Sequence, residues 1–202
     1  MDYNHENRAY QNGYSLVCGV DEAGRGPLAG PVYAAAVILP RGLEISGLND
    51  SKKLSEKKRE ELFDIITQKA VAYAVASVDE KTIDRINILQ ATFLAMKKAV
   101  DSLEVRADYA LIDGNRMPQL DIPGETIVKG DASSPSIAAA SVLAKVSRDR
   151  FMYDLDKEMP EYMFAKHKGY GTKLHYECLD KYGISEHHRL TFLKTYRPGE
   201  RK

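Results

Sequence analysis

Residues 19–31, Gly-Val-Asp-Glu-Ala-Gly-Arg-Gly-Pro-Leu-Ala-Gly-Pro, constrain this chain more than any other stretch. An apolar run (16–20) leads into two adjacent acids, Asp21 and Glu22; a stretch dense in glycine and proline follows, and a second apolar run (32–39) leaves it. Strands fix side chains rigidly, carboxylates hold hard cations, and glycines let another backbone come close. An acid pair before a Gly-Pro turn also occurs as a plain solvated strand end. The apolar runs on both sides weigh against that, because charges flanked by buried strands are costly unless something satisfies them. The stretch reads as a metal site beside a substrate-contacting loop.

These two runs and further apolar or amphipathic stretches set the fold class. The patterns predict strands at 14–20, 31–39, 71–78, 109–112 and 125–128. Ser55 is an N-cap for a helix reaching Lys69. Ile83, Ile86, Leu89, Phe93, Met96, Val100 and Leu103 recur in steps of three and four, one helical face that Asn87 breaks into two pieces. Ser134-Pro135 opens a helix to about Glu158, with alanines small enough for close packing on a sheet. From Pro160 the chain turns rich in Tyr, His and Lys, with short helices expected near Thr172 and Ser185. The order implies an α/β chain, a mixed sheet with helices packed on it and a small helical C-terminal appendage.

The 202 residues suit one such domain. Lys and Arg total 29 and Asp and Glu total 29, so net charge is zero and composition does not announce nucleic acid. A balanced total still allows acids at one site and bases along another. Cys18 and Cys178 are far apart among apolar neighbours, which suits free buried thiols and a reducing compartment. Residues 1–13 are polar, without the apolar core of a signal peptide, and no stretch reaches membrane-spanning length. A cytoplasmic monomer is expected, since no exposed apolar helix is left over once the core is assigned.

Three predicted strands end in acid: Asp21-Glu22, Asp113 and, just past the last, Asp131. Functional groups collect at strand ends, where loops vary freely. Four carboxylates brought together repel and raise one another's pKa unless divalent cations neutralise them. An all-oxygen set favours Mg²⁺ or Mn²⁺ over zinc. Two such ions about 4 Å apart suit phosphodiester hydrolysis. Consecutive strand residues point to opposite faces, so Asp21 and Glu22 share a metal only if the chain bends or bulges.

Gly24-Arg25-Gly26 offers backbone close to a sugar or phosphate, and Arg25 can pair with phosphate. In His167-Lys168-Gly169-Tyr170-Gly171-Thr172, a tyrosine between glycines is exposed enough to stack on a base or sugar. Tyr162, Tyr176 and Tyr182 read as packing residues. Lys52, Lys145, Arg148 and Lys168 are the candidate phosphate contacts, although Asp149 can pair with Lys145 or Arg148. Lys57, Lys58 and Arg59 read as a solvated face, and His187-His188 as capping or phosphate-contacting.

Together, stretches 19–31, 49–55, 86–96, 113–115, 129–150 and 167–172 resemble bacterial ribonuclease HII, across residues 14–192. The resemblance implies a ribonuclease H-like fold, a five-stranded mixed sheet flanked by helices. It divides the chain into a polar leader (1–13), a catalytic core (14–158) and a helical segment (159–202) completing the substrate groove. It implies a metal-dependent endonuclease that cuts the RNA strand of RNA–DNA hybrids and nicks duplex DNA 5′ to an embedded ribonucleotide, leaving 3′-hydroxyl and 5′-phosphate ends. By that similarity Asp21, Glu22, Asp113 and Asp131 carry the metals, the Gly24-Arg25-Gly26 backbone reads the 2′-hydroxyl, and Tyr170 stacks on the adjacent deoxyribose. A resolvase-like DNA nuclease and a non-catalytic nucleic-acid binding module are the rivals; the first would cut all-DNA duplex, the second would need no metal.

Overall fold

In the computed structural model, which describes residues 1–199, the acid-bearing strand β1 (Val17–Ala23) becomes the centre of a sheet. Strand β2 (Val32–Ile38) returns antiparallel beside it, and β3 (Ala72–Val78) runs antiparallel to β2. On the other side β4 (Tyr109–Asp113) and then β5 (Gly124–Ile127) lie parallel to β1 and to each other. The spatial order is β3-β2-β1-β4-β5, the five-stranded mixed sheet expected. The parallel β1–β4 pair draws its crossover from the helices between β3 and β4, while residues 114–123, without a helix, return the chain to place β5 parallel to β4.

Both faces are covered. Cys18, Val20, Ala34, Ala36, Ile38 and Ile112 pack against helices α3 (Glu80–Ile86) and α4 (Ile88–Asp101). The break between these helices is Asn87, at φ +66°, whose side chain caps α4 by accepting from the amides of Leu89 and Gln90. On the opposite face Ala35 and Val37 meet Leu62 and Ile66 of α2 (Glu56–Lys69) and the alanine-rich α5 (Pro135–Glu158). Helix α5 crosses β1 so closely that a Cβ at Gly19 would sit 2.1 Å from the Ser136 carbonyl carbon.

Three expectations change. The polar leader contains a helix, α1 (Asn4–Gln11), and its Glu6 is fully buried. The Glu6 Oε1 accepts from the Ser134 hydroxyl (2.6 Å) and the Ser136 amide (3.1 Å), so α1 caps the start of α5 from outside. In the tail, α6 (Phe164–His167) and α7 (Lys173–Tyr182, N-capped by Thr172) form, but no helix starts at Ser185. Ser185 instead bonds His188, and only a short turn, Leu190–Phe192, follows. Cys18 and Cys178 are buried free thiols. Tyr162 packs as expected, whereas Tyr182 is exposed. Among the described residues no helix is long and apolar enough to cross a membrane.

Candidate active site

The parallel strands deliver the acids to one edge. The β1–β4 register ends at Val20 opposite Ile112, so Asp21 and Asp113 follow at adjacent strand ends, about 4.8 Å apart in the sheet direction. The Gly130 amide donates to Asp113 Oδ1 at 2.7 Å, which fastens the turn Gly130–Ala132 and its Asp131 beside them. Asp21 and Asp131 are 3 % and 5 % exposed.

Burial pushes the Asp21 carboxyl well above the usual carboxylate range, and the charges of Glu22 and Asp113 add to it. Burial, then Asp113, raises Asp131; burial raises Glu22, against the pull of Arg25. Asp113 is thus the hub whose charge reaches the other three. The neighbouring cations are few: Lys52 Nζ lies 3.6 Å from Asp131 and Arg25 Nη1 lies 3.3 Å from Glu22. Ser141, from α5, donates to Asp21, and its oxygen lies 2.8 Å from that of buried Ser51.

Between Asp21 and Glu22 the chain neither bends nor bulges, the condition on which the two would share one ion. The β1–β2 ladder runs unbroken through Asp21↔Ala35 and Glu22↔Ala34, so the two side chains leave opposite faces. Glu22 instead lines a cleft of about 180 Å³ with Arg25, Phe93, Asp113, Asn115 and Arg116. Among the described residues, no three His, Cys, Asp or Glu side chains converge on a point that would hold an ion.

The glycine loop and the distant His167–Thr172 element come together. The Leu28 amide donates to the Gly169 carbonyl at 2.8 Å, and a Cβ on Gly26 would lie 3.8 Å from Tyr170 Cε1. Gly169, at φ +80°, has no room for a side chain, since a Cβ would meet the Ala29 oxygen at 2.5 Å. Tyr170 itself is 42 % exposed beside the loop.

The cationic candidates divide. Lys52 is exposed at the acids. Lys168 stays at the surface with its Nζ 3.9 Å from the Tyr153 ring centroid and bonded to the Ala165 carbonyl. Lys145 is held by Asp149 at 2.6 Å. Arg148 is not available to phosphate: it is 1 % exposed, and its three nitrogens donate to the carbonyls of Ala29, Pro31 and Lys168. Arg59 also leaves the solvated face, donating to the Ser51 and Leu54 carbonyls with Asp149 at 3.7 Å. His188 is buried, neither a helix cap nor a surface group, and His187 faces Glu80 at 3.6 Å.

Two groups escape sequence reasoning. Arg189 is fully buried and donates to the carbonyls of Gly24 (2.7 Å), Arg25 (3.0 Å) and Gly30 (2.7 Å). His175, stacked on His167 at 4.2 Å, lies 3.0 Å from His188 Nε2 to Nε2. The clustering of histidines with an arginine in the tail was the available signal, but nothing local says that they turn inward.

The family model for ribonuclease HII matches residues 18–195. The chain belongs to the ribonuclease HII family. A ribonuclease HII of Caldicellulosiruptor bescii is 56 % identical over 189 residues, covering 94 % of this chain and 92 % of that one. The solved ribonuclease H2 of Pyrococcus horikoshii OT3 superposes with a TM-score of 0.73 at 27 % identity, over 88 % of this chain and 93 % of the other. Bst ribonuclease HIII, solved in complex with Mn²⁺, shares the fold at 20 % identity and a TM-score of 0.67, over 88 % and 65 % of the two chains. A ribonuclease HII is an endoribonuclease acting on RNA–DNA hybrids, and the non-catalytic and resolvase-like alternatives fall away. The ribonuclease H-like fold expected from the sequence is the fold observed.

Proposed function

We propose that this chain cuts the RNA strand of continuous hybrids and also nicks duplex DNA 5′ to embedded ribonucleotides, with Asp21, Glu22, Asp113 and Asp131 holding Mg²⁺ or Mn²⁺. In the overall reaction water adds to phosphorus and the P–O3′ bond breaks, leaving a 3′-hydroxyl and a 5′-phosphate. The observation that carries the reading is the concentration of negative charge at one sheet edge. Two of its acids are buried and three are pushed up in pKa with burial as the first cause. The donor set is all oxygen, and Glu22, though it leaves β1 on the face opposite Asp21, lines one cleft with Asp113, so the residues fit hard divalent metal ions. Such an ion supplies charge stabilisation at the phosphate and a more acidic water.

The rest belongs to the chain itself. Asp113 joins the β1 acids to Asp131, and the Gly130 amide fixes its orientation. Lys52, exposed beside Asp131, is placed to meet a phosphate. Gly24, Arg25 and Gly26 approach a ribose through backbone, which suits reading a 2′-hydroxyl, the one group that distinguishes RNA from DNA at a given site. Tyr170, exposed next to Gly26, offers a ring for the neighbouring deoxyribose. Lys168 lies beside this ring element and completes the groove. A monomer in a reducing cytoplasm, removing ribonucleotides from DNA, goes with this reading and with the free thiols.

The test is a duplex carrying one ribonucleotide, incubated with and without Mg²⁺ or Mn²⁺. Cleavage 5′ to the ribonucleotide that needs metal and is lost in Asp21→Asn is expected. Metal-independent cleavage, or full activity of Asp21→Asn, would overturn the site. Tyr170→Ala is expected to weaken cleavage at the single ribonucleotide more than on a long hybrid; equal losses would count against the stacking role.

A further inference from the structure

We infer that the dipeptide His188-Arg189 is a positioning clamp that sets both substrate-reading elements, the Gly24-Arg25-Gly26 backbone and the Tyr170 ring, in one rigid frame. This inference rests on the reading of those elements given above. Neither residue touches the carboxylates, and neither is exposed, so both act through others.

Arg189 provides the first half. Its guanidinium is buried without an ion pair among the described residues, and its donors go to loop carbonyls: Gly24, Arg25 and Gly30. A peptide group is planar and trans, so its C=O and the following N–H point in opposite directions. Drawing the Gly24 and Arg25 carbonyls inward to Arg189 therefore turns the amides of Arg25 and Gly26 away from it. Gly26 is the residue beside Tyr170. The arginine thus selects which backbone groups the loop presents, donors rather than acceptors, and donors suit a 2′-hydroxyl oxygen. The planar fork matters, because it meets several carbonyls at once, which an ammonium group on a flexible stem does less well.

His188 provides the second half. Its Nε2 lies 3.0 Å from His175 Nε2, and His175 Nδ1 lies 3.0 Å from the Tyr170 carbonyl oxygen. That carbonyl only accepts, so His175 carries its proton on Nδ1 and accepts at Nε2. His188 must then donate from Nε2 and accept at Nδ1, where the Ser185 amide (3.0 Å) and hydroxyl (2.7 Å) meet it. One set of neutral tautomers satisfies the whole relay, which ends on the backbone of Tyr170. Main-chain bonds close the frame: the Arg189 amide to the Leu28 carbonyl, the Gly30 amide to that of His187, and the Leu28 amide to that of Gly169.

The two halves predict different losses. Arg189→Lys is expected to lower kcat about tenfold or more on both a single-ribonucleotide duplex and a continuous hybrid, since both need the 2′-hydroxyl read. His188→Leu is expected to reduce cleavage of the single-ribonucleotide duplex selectively, as Tyr170→Ala does. His188→Gln, whose amide nitrogen can replace Nε2 as donor, should restore the preference. Combining His188→Leu with Tyr170→Ala should be no worse than Tyr170→Ala alone. The rise in thermal midpoint on adding Mn²⁺, a property of the acids, should persist in all of these variants. Wild-type kcat in Arg189→Lys, or equal losses on the two substrates in His188→Leu that His188→Gln does not restore, would overturn the clamp. Should Arg189→Lys fail to fold, the His188 pair decides. A Tyr170→Ala protein with unaltered preference would instead overturn the underlying stacking role, while the Arg189 arm is still decided by its own kcat.

Discussion

The carboxylate of Asp21 sits almost wholly out of water, with Glu22 next in sequence and Asp113 on the adjacent strand. Its pKa is raised by burial, so its negative charge works against the metal-free fold once pH exceeds the usual carboxylate range. Asp21→Asn should therefore abolish cleavage and yet raise the metal-free midpoint, by about 2–4 °C for each kcal/mol relieved in a chain of this size. Thermal unfolding in a chelator at pH 8 measures this, and a lowered midpoint would count against the charge argument. Mg²⁺ should stabilise the wild type and lose most of that effect in the variant.

Helix α5 is the element on which the site depends. It touches β1 at Gly19, carries Ser141 toward Asp21, and begins four residues after Asp131. Gly19→Ala places a methyl 2.1 Å from the Ser136 carbonyl carbon, which only a shift of strand or helix can relieve. A destabilisation of about 1–3 kcal/mol or more is expected, with loss of cleavage as Asp131 and Ser141 move from Asp21. Denaturant unfolding and a cleavage assay report the two effects. At the other side of the same helix start, Glu6→Ala removes the acceptor for the Ser134 hydroxyl and the Ser136 amide. It should cost about 1–3 kcal/mol and speed hydrogen exchange at residues 134–137. Unchanged exchange there would leave α1 without the capping role.

For the whole molecule, two sets of buried groups tilt stability in opposite directions with pH. The folded pKa values of Asp21, Glu22 and Asp131 are raised, so the stability tied to their protonated forms is present at low pH and is lost as pH rises through those values. His175 and His188 are pushed down to about 3 and about 4, and burial lowers His167 as well. Their contribution is complete above the unfolded histidine pKa of about 6.5 and declines as pH falls from there toward the folded values. Metal-free stability should therefore fall on both sides of a maximum, and Mg²⁺ should flatten only the alkaline side. Midpoints measured across pH 4–9 with and without Mg²⁺ check this; a metal effect confined to the acid side would contradict the assignment.

Local pattern was enough for much of this protein. Alternation and length announced the strands, Ser55, Asn87 and Ser134-Pro135 marked helix boundaries, and each acid was visible at the end of an apolar run. These features are legible because caps and strand ends depend on residues only a few positions apart. Tertiary structure alone decided what depends on distant partners. The straightness of β1 past Asp21 comes from its ladder with β2, and the helicity of the leader is tied to Glu6 meeting Ser134. Arg148 reads in sequence as a phosphate contact and Arg189 carries no local signal, and each turns inward only because carbonyls from remote loops converge to satisfy it. A buried cation is tolerable only with such partners, and their positions exist only in the folded chain.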